Sequence, residues 1–335
     1  LFLKDGADAA HTFAKNFPKS QNTIPALLKA AQAYENMGHL NKATDVLFKL
    51  SDLDTENTWK WKSLAADFLV LQARIPAAEY TYNQVIKANN PKYRDHALVQ
   101  LEKLQNNSGT KAHENLLKQI IAANIQPQAS LAKLYFVEKL FKDKKYSEAF
   151  VEAKKVLSMD NSSSIYAKSQ ARYIQAQILE QEYDNQSVKS QIDRFTAVFA
   201  LKTDKLDKAQ SAYQSAMRYG DPHVAVKALV SLSKLYGKYV NTLKTIPLPS
   251  GLPETDAPAF RTEMDKLAIP MEEKGVETMV EALNQAKRLQ LRDGTIANVQ
   301  RELDKLNMRD VKEIDVELTT PDVIVPQYKQ KVVGL

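Results

Sequence analysis

Ala78-Glu79-Tyr80-Thr81-Tyr82-Asn83-Gln84-Val85-Ile86-Lys87-Ala88-Asn89-Asn90-Pro91 is the stretch on which the fold turns. Its skeleton, Ala78-x3-Tyr82-x2-Val85, puts three residues on one side of a helix, and Asn90-Pro91 closes it because a proline cannot continue a helix. The same skeleton returns as Ala43-x3-Leu47-x2-Leu50 before Asp54, as Ala112-x3-Leu116 after Gly109, and as Ala149-x3-Ala153-x2-Val156 before Asp160-Asn161. The leading alanines stand 35, 34 and 37 residues apart. A fixed period of that length marks a stack of similar supersecondary units.

Three of the skeletons are preceded by a second apolar pattern. Leu27-x2-Ala30-Ala31-x2-Tyr34 leads through Gly38 and Leu40 to Ala43. Ala65-Ala66-x2-Leu69 precedes Ala78, and Phe136-Val137-x2-Leu140 leads through Tyr146 to Ala149. Small residues on this first helix (helix A) let the second (helix B) approach closely, and larger ones fill the groove between neighbouring pairs. One pair cannot bury its apolar flank alone, so pairs must stack. These segments resemble tetratricopeptide repeats. They lack the Trp of the first signature position, and Ala31, Ala66 or Val137 replaces the Gly of the eighth. The expected fold is all-α, a tetratricopeptide-type solenoid of antiparallel helix pairs.

Composition agrees. The chain has 335 residues, 44% of them hydrophobic, with only 9 Gly and 13 Pro, so long stretches carry no helix breaker. Helices are expected at 5–16, 23–37, 40–51, 56–73, 76–88, 92–105, 110–124, 128–143, 146–158 and 163–183. One long helix is expected near 188–219. There Ile192, Phe195, Phe199, Leu206, Ala209, Tyr213 and Ala216 step by threes and fours, interrupted by Lys202. Its end, Ala209-x3-Tyr213-x2-Ala216 before Asp221-Pro222, repeats the skeleton. A helix at 223–244 follows, then a proline-rich loop near 246–258 that lies against the protein. Further helices are expected at 257–268, at 270–291 with Pro270 in its first position, and at 294–307 with Asp293 as cap. Glu313 to Leu335 reads as an extended tail. The expected organisation is N-terminal helix pairs at 1–160, a C-terminal helical region at 161–307 and a tail at 308–335.

Several function classes are excluded by what is missing. No apolar run of about 18 residues could span a bilayer. Cysteine is absent, which removes disulfides and thiolate chemistry. None of His11, His39, His96, His113 and His223 forms a metal-binding pair, and no Gly-rich phosphate loop or nucleophile elbow occurs. No catalytic residue, cofactor or metal is therefore expected, and the chain is not read as an enzyme. Net charge is +6, from 46 basic and 40 acidic side chains that alternate along the helices. That pattern is a solvated surface. Lys142-x-Lys144-Lys145 reads as a solvated turn.

Function then falls to the outward positions of helix A. Counting from the signature alanines, these are Gln32, Glu35 and Asn36, then Asp67, Val70 and Leu71, then Glu138, Phe141 and Lys142. Trp59 joins them, because Trp is enriched in binding hot spots. The set is neutral and partly apolar, without the Lys/Asn combination that clamps a chaperone tail. Partner proteins are expected in the groove. The alternative reading is a cytoplasmic helical-repeat adaptor for nucleic acid or an acidic partner.

A second resemblance rests on longer runs. They are Ala171-Arg172-Tyr173-Ile174-Gln175-Ala176-Gln177-Ile178-Leu179-Glu180, Gln186-Ser187-Val188-Lys189 and Leu201-Lys202-Thr203-Asp204-Lys205-Leu206-Asp207-Lys208-Ala209-Gln210. Tyr219-Gly220-Asp221-Pro222, Pro247-Leu248-Pro249-Ser250-Gly251-Leu252, Ile269-Pro270-Met271-Glu272-Glu273-Lys274-Gly275-Val276-Glu277 and Leu291-Arg292-Asp293-Gly294-Thr295 complete them. Together, over about residues 165–307, they resemble the tetratricopeptide proteins of the adventurous gliding motility machinery of myxobacteria and related predatory bacteria. The resemblance implies a scaffold in a cell-envelope complex, periplasmic or attached to the outer membrane. The chain opens on Leu1, so a processed or truncated form is expected, with any lipid anchor upstream.

Overall fold

The computed structural model describes residues 2–105, 109–291 and 294–306. They hold fourteen α-helices and, apart from one isolated bridge, no β-structure. Two compact units divide at Ile125 and Gln126. The first contains α1 (Phe2–Asn16), α2 (Thr23–Asn36), α3 (Leu40–Leu53), α4 (Thr58–Leu71), α5 (Ile75–Ala88), α6 (Pro91–Gln105) and α7 (Lys111–Ala122). The second contains α8 (Gln128–Lys142), α9 (Tyr146–Leu157), α10 (Ile165–Asn185), α11 (Ile192–Arg218), α12 (Pro222–Thr245), α13 (Ala257–Arg288) and α14 (Thr295–Leu306). Within each unit every helix packs on the next. A helices also pack on A helices, α4 on α6 and α10 on both α8 and α12. This is the all-α helical-repeat solenoid that the period requires. The two sides of residue 160 belong together, since Leu134 and Val137 of α8, Ala149 and Val156 of α9, and Ala171 and Ile174 of α10 form one buried cluster. The tail at 308–335 and the Asp293 cap lie outside the described residues.

The turn from helix A to helix B is built the same way in three repeats. Gly38, Ala73 and Lys144 each take positive φ, at 72°, 57° and 59°. The next residue then donates its N–H back across the turn: His39 to Tyr34 O at 2.8 Å, Arg74 to Leu69 O at 2.9 Å, Lys145 to Leu140 O at 2.9 Å. This six-to-one bond satisfies carbonyls that a helix end leaves orphaned. Only the first repeat uses glycine, the residue that adopts this conformation without a Cβ penalty. Lys144→Gly is therefore expected to raise the thermal midpoint of the second unit, by about 1 kcal/mol of added stability. Gly38→Ala is expected to lower that of the first unit by a similar amount. Equal midpoints for wild type and Lys144→Gly in a calorimetric scan would speak against the strain.

The signature alanines sit at the helix crossings as anticipated. Ala43, Ala78, Ala149 and Ala209 are all fully buried. Ala112 is a correction: it is exposed, and the crossing in α7 is occupied by the fully buried His113, followed by Leu117 and Ile120. The Thr110 hydroxyl caps α7 by accepting from His113 N at 3.2 Å, which fixes the helix start at Lys111. That start turns Ala112 outward and brings the next residue onto the crossing.

Two other expectations change in the second unit. Residues 257–288 form one helix, not two with a break at Pro270. The halves on either side bury Met264 and Ala268, then Met279, Ala282, Leu283 and Ala286, and α13 packs along α12. Pro270 faces solvent, where the lost backbone bond costs least. The long helix α11 runs as expected, but Lys202 does not interrupt its seam. It is only 5% exposed, and its Nζ donates to Tyr183 O at 2.6 Å and to Gln186 O at 3.0 Å, capping the end of α10. The proline-rich loop lies against the protein, as read. Ile246 and Pro249 are buried, and Ser250 exchanges backbone bonds with Ser190 and Ile192 at 3.1 and 3.0 Å. Helix α14 buries Val299 and Leu303 and keeps Asn298, Arg301 and Lys305 outward on a polar face.

Candidate protein-binding site

The nine groove positions occupy equivalent places on three A helices. Gln32, Asp67 and Glu138 stand one turn from the C-terminus of α2, α4 and α8. Glu35, Val70 and Phe141, then Asn36, Leu71 and Lys142, form the last turn. The structure sorts them by what each side chain already holds.

Gln32, Asn36, Leu71 and Lys142 are exposed and free to meet a partner. Leu71 is half exposed, at 50%, beside the α2–α3 turn, where it lines an open cleft with Gly38, His39, Asn41, Lys42 and Gln72. A large aliphatic chain left in such a cleft is a ready contact for an apolar partner group. Glu35 and Val70 are half-buried, and their carbonyls close the helix-end turns by accepting from Gly38 N and Ala73 N, both at 2.9 Å. Burial holds the Glu35 carboxyl above its ordinary value. Phe141 is taken up by the repeat itself, its ring 5.5 Å from that of Tyr146 across the turn.

Asp67 and Glu138 tie helices together. Asp67 accepts from the Tyr82 hydroxyl of α5 at 2.5 Å and from His96 Nε2 of α6 at 2.9 Å, so one carboxylate joins three helices. Burial first, then the charge of Asp67, raises the Tyr82 phenol far above its ordinary value. Tyrosine–carboxylate struts recur elsewhere. Tyr34 of α2 donates to Asp8 of α1, which also binds Lys42 at 2.8 Å. There burial, with Asp8 beside it, pushes the phenol up to about 12. Tyr213 of α11 donates to Glu180 of α10, which Lys238 of α12 also reaches at 2.8 Å. Glu138 accepts from Gln170 Nε2 of α10 at 3.3 Å.

The two tryptophans divide between core and surface. Trp61 is buried, and its Nε1 donates to Asp54 Oδ2 at 2.9 Å, with Asn57 bonded to the same carboxylate. Trp59 is half-buried under the Lys62 ammonium, 5.1 Å from the ring centroid, so part of its face remains open. The Lys142, Lys144 and Lys145 turn is solvent-exposed throughout.

A second surface lies beyond the groove positions counted from the signature alanines, because α10 also serves as an A helix. Ser164 N donates to Ser130 Oγ at 2.9 Å, which brings the first turns of α8 and α10 together. Leu131, Ile165 and Tyr166, the residues that follow these serines, remain exposed. The signal was available: Ser130 and Ser164 stand 34 residues apart, one repeat period. Farther along, the Tyr173 hydroxyl of α10 meets Ser231 Oγ of α12 at 2.8 Å. The A-helix face of the second unit thus runs from Leu131 across Gln170 to Ser231. Among the described residues no group of His, Asp or Glu converges as a metal site.

No protein-family model matches the chain, and none of the curated proteins matches it. A solved structure described as "Computational Design of Self-Assembling Cyclic Protein Homooligomers" aligns with 92% of this chain and 96% of its own at 12% identity, with a TM-score of 0.25. A score that low carries no inference about fold or function.

Proposed function

We propose that this chain is a protein-interaction scaffold that holds partner polypeptides on the faces of its A helices, and that it is not an enzyme. The observation that carries the reading is the division of labour on those faces. Carboxylates such as Asp67 and Glu138 are spent in joining helices, while Gln32, Asn36, Leu71 and Trp59 on one unit, and Leu131, Ile165 and Tyr166 on the other, keep apolar or hydrogen-bonding surface open. Rigid stacked helices that present such side chains suit a helix or an extended segment of another protein.

The setting we propose is a bacterial cell-envelope complex of the gliding motility type, in the periplasm at the outer membrane. The runs between residues 165 and 307 quoted above support it. Affinity purification from detergent-solubilised membranes tests function and setting together. Wild-type protein is expected to recover envelope proteins, and the exposed-site double variant Asn36→Arg/Leu71→Arg to lose at least one of them about tenfold. Recovery of cytosolic chaperones or polysomes alone would overturn the envelope setting. Identical recoveries by variant and wild type would overturn the role of the α2–α4 face.

A further inference from the structure

One joint on the A-helix face of the second unit lacks a hydrogen. Gln170 spends its Nε2 on Glu138 Oε1 at 3.3 Å, while its own Oε1 is buried without a donor. An ionised carboxylate cannot supply one, because it only accepts. A protonated carboxyl can. With its O–H turned to Gln170 Oε1 and its carbonyl oxygen still accepting from Nε2, acid and amide make two parallel hydrogen bonds and no polar atom of the pair stays orphaned. A buried acceptor left unpaired costs about 1–3 kcal/mol, so the missing hydrogen matters.

We propose that Glu138 takes up a proton to close a two-bond acid–amide pair with Gln170, and that this proton sets how tightly α8 is held to α10. The joint underlies the face assigned above to partner binding. The consequence for partners therefore rests on that reading, while the joint itself does not.

The groups around Glu138 decide the direction. From α10 it faces Gln170 and the Tyr166 phenol, and from α12 the Lys227 ammonium. Asp221, the N-cap of α12, bears on Tyr166, and Lys142 stands one turn along α8 itself. Lys227 and the Gln170 amide favour the carboxylate, but burial outweighs both and holds the carboxyl above its ordinary value. An acid with a raised value in the fold binds its proton more tightly there than in the unfolded chain. The joint therefore strengthens as pH falls through that raised value and weakens above it.

Amide hydrogen exchange of α8 and α10 in the isolated protein tests this, with each variant compared with wild type at one pH so that intrinsic exchange rates cancel. Glu138→Gln carries a permanent N–H donor in the shape of the protonated acid. At about pH 7.5 its α8 and α10 amides are expected to exchange about tenfold more slowly than those of wild type, and the gap is expected to narrow as pH falls to about 5 and Glu138 takes up its proton. Gln170→Leu removes the acceptor. In wild type the exchange of α8 relative to α13 rises between these pH values, and in Gln170→Leu it is expected to stay flat. A Glu138→Gln to wild-type ratio that is equal at both pH values overturns the proposal, and so does better protection of wild type at pH 7.5. If Glu138→Gln does not fold, a pH-dependent α8 to α13 ratio in Gln170→Leu overturns it alone. No partner takes part, so failure here is distinct from failure of the scaffold reading.

Discussion

Lys202→Met is expected to cost the second unit about 2–3 kcal/mol. Met matches the four-atom apolar stem of Lys and lacks only the terminal ammonium, so the loss isolates that group. That group donates to Tyr183 O and Gln186 O at the end of α10, where the helix dipole is negative, and it lies 3.8 Å from the centroid of the Tyr183 ring. Tyr183 O keeps its bond from Gln186 N at 3.1 Å, whereas Lys202 Nζ is the donor seen at Gln186 O. Removing the charge takes away a charge-assisted cap and a cation–π contact and leaves a carbonyl facing an apolar chain. Burial holds the ammonium below the ordinary lysine value, with Asp184 pulling the other way. The desolvation relieved by Met offsets part of the loss, which is why the figure is not larger. Urea-dependent hydrogen exchange of α10 and α11 measures it directly. A change below about 0.5 kcal/mol would mean that the contacts merely balance the desolvation.

Gly275 is expected to respond in opposite directions to two substitutions. A Cβ built there meets Tyr236 Cβ at 3.6 Å and Ser233 O at 3.7 Å, ordinary contact distances that leave nothing beyond them. Ser233 Oγ donates to Gly275 O at 2.6 Å, a bond that holds α12 and α13 close together at this point. Gly275→Ala fills the available space without a clash and removes backbone freedom from the unfolded chain, so a gain of about 0.5–1 kcal/mol is expected. Gly275→Leu must push the helices apart or adopt a strained rotamer, at about 3 kcal/mol, the upper end of overpacking costs. Thermal midpoints of both variants beside wild type decide it. If Leu were tolerated as well as Ala, the two helices would not be held as closely as their shared hydrogen bond indicates.

Part of this fold is legible in the sequence. The 35-residue step from Ala43 to Ala78 is a property of one repeat, so periodicity alone reveals it. Pro270 and Ala112 were misjudged for one reason. The preference of proline for a first turn and of alanine for a crossing are averages over contexts, and here the neighbouring helix and the Thr110 cap overrode them. The groove positions fall on α2, α4 and α8, yet Asp67 and Glu138 look the same in sequence as open surface residues. Their partners lie on other helices, His96 at 29 residues away and Gln170 at 32.

By itself the sequence determined most of the helices, the pairing of the N-terminal repeats and the period on which they stack, because each depends on residues within one turn or one repeat. The tertiary structure alone decided which polar side chains are consumed within the stack and which stay open. A carboxylate is free or occupied according to what the next helix brings within hydrogen-bonding distance, and that distance is a property of packing rather than of spacing along the chain.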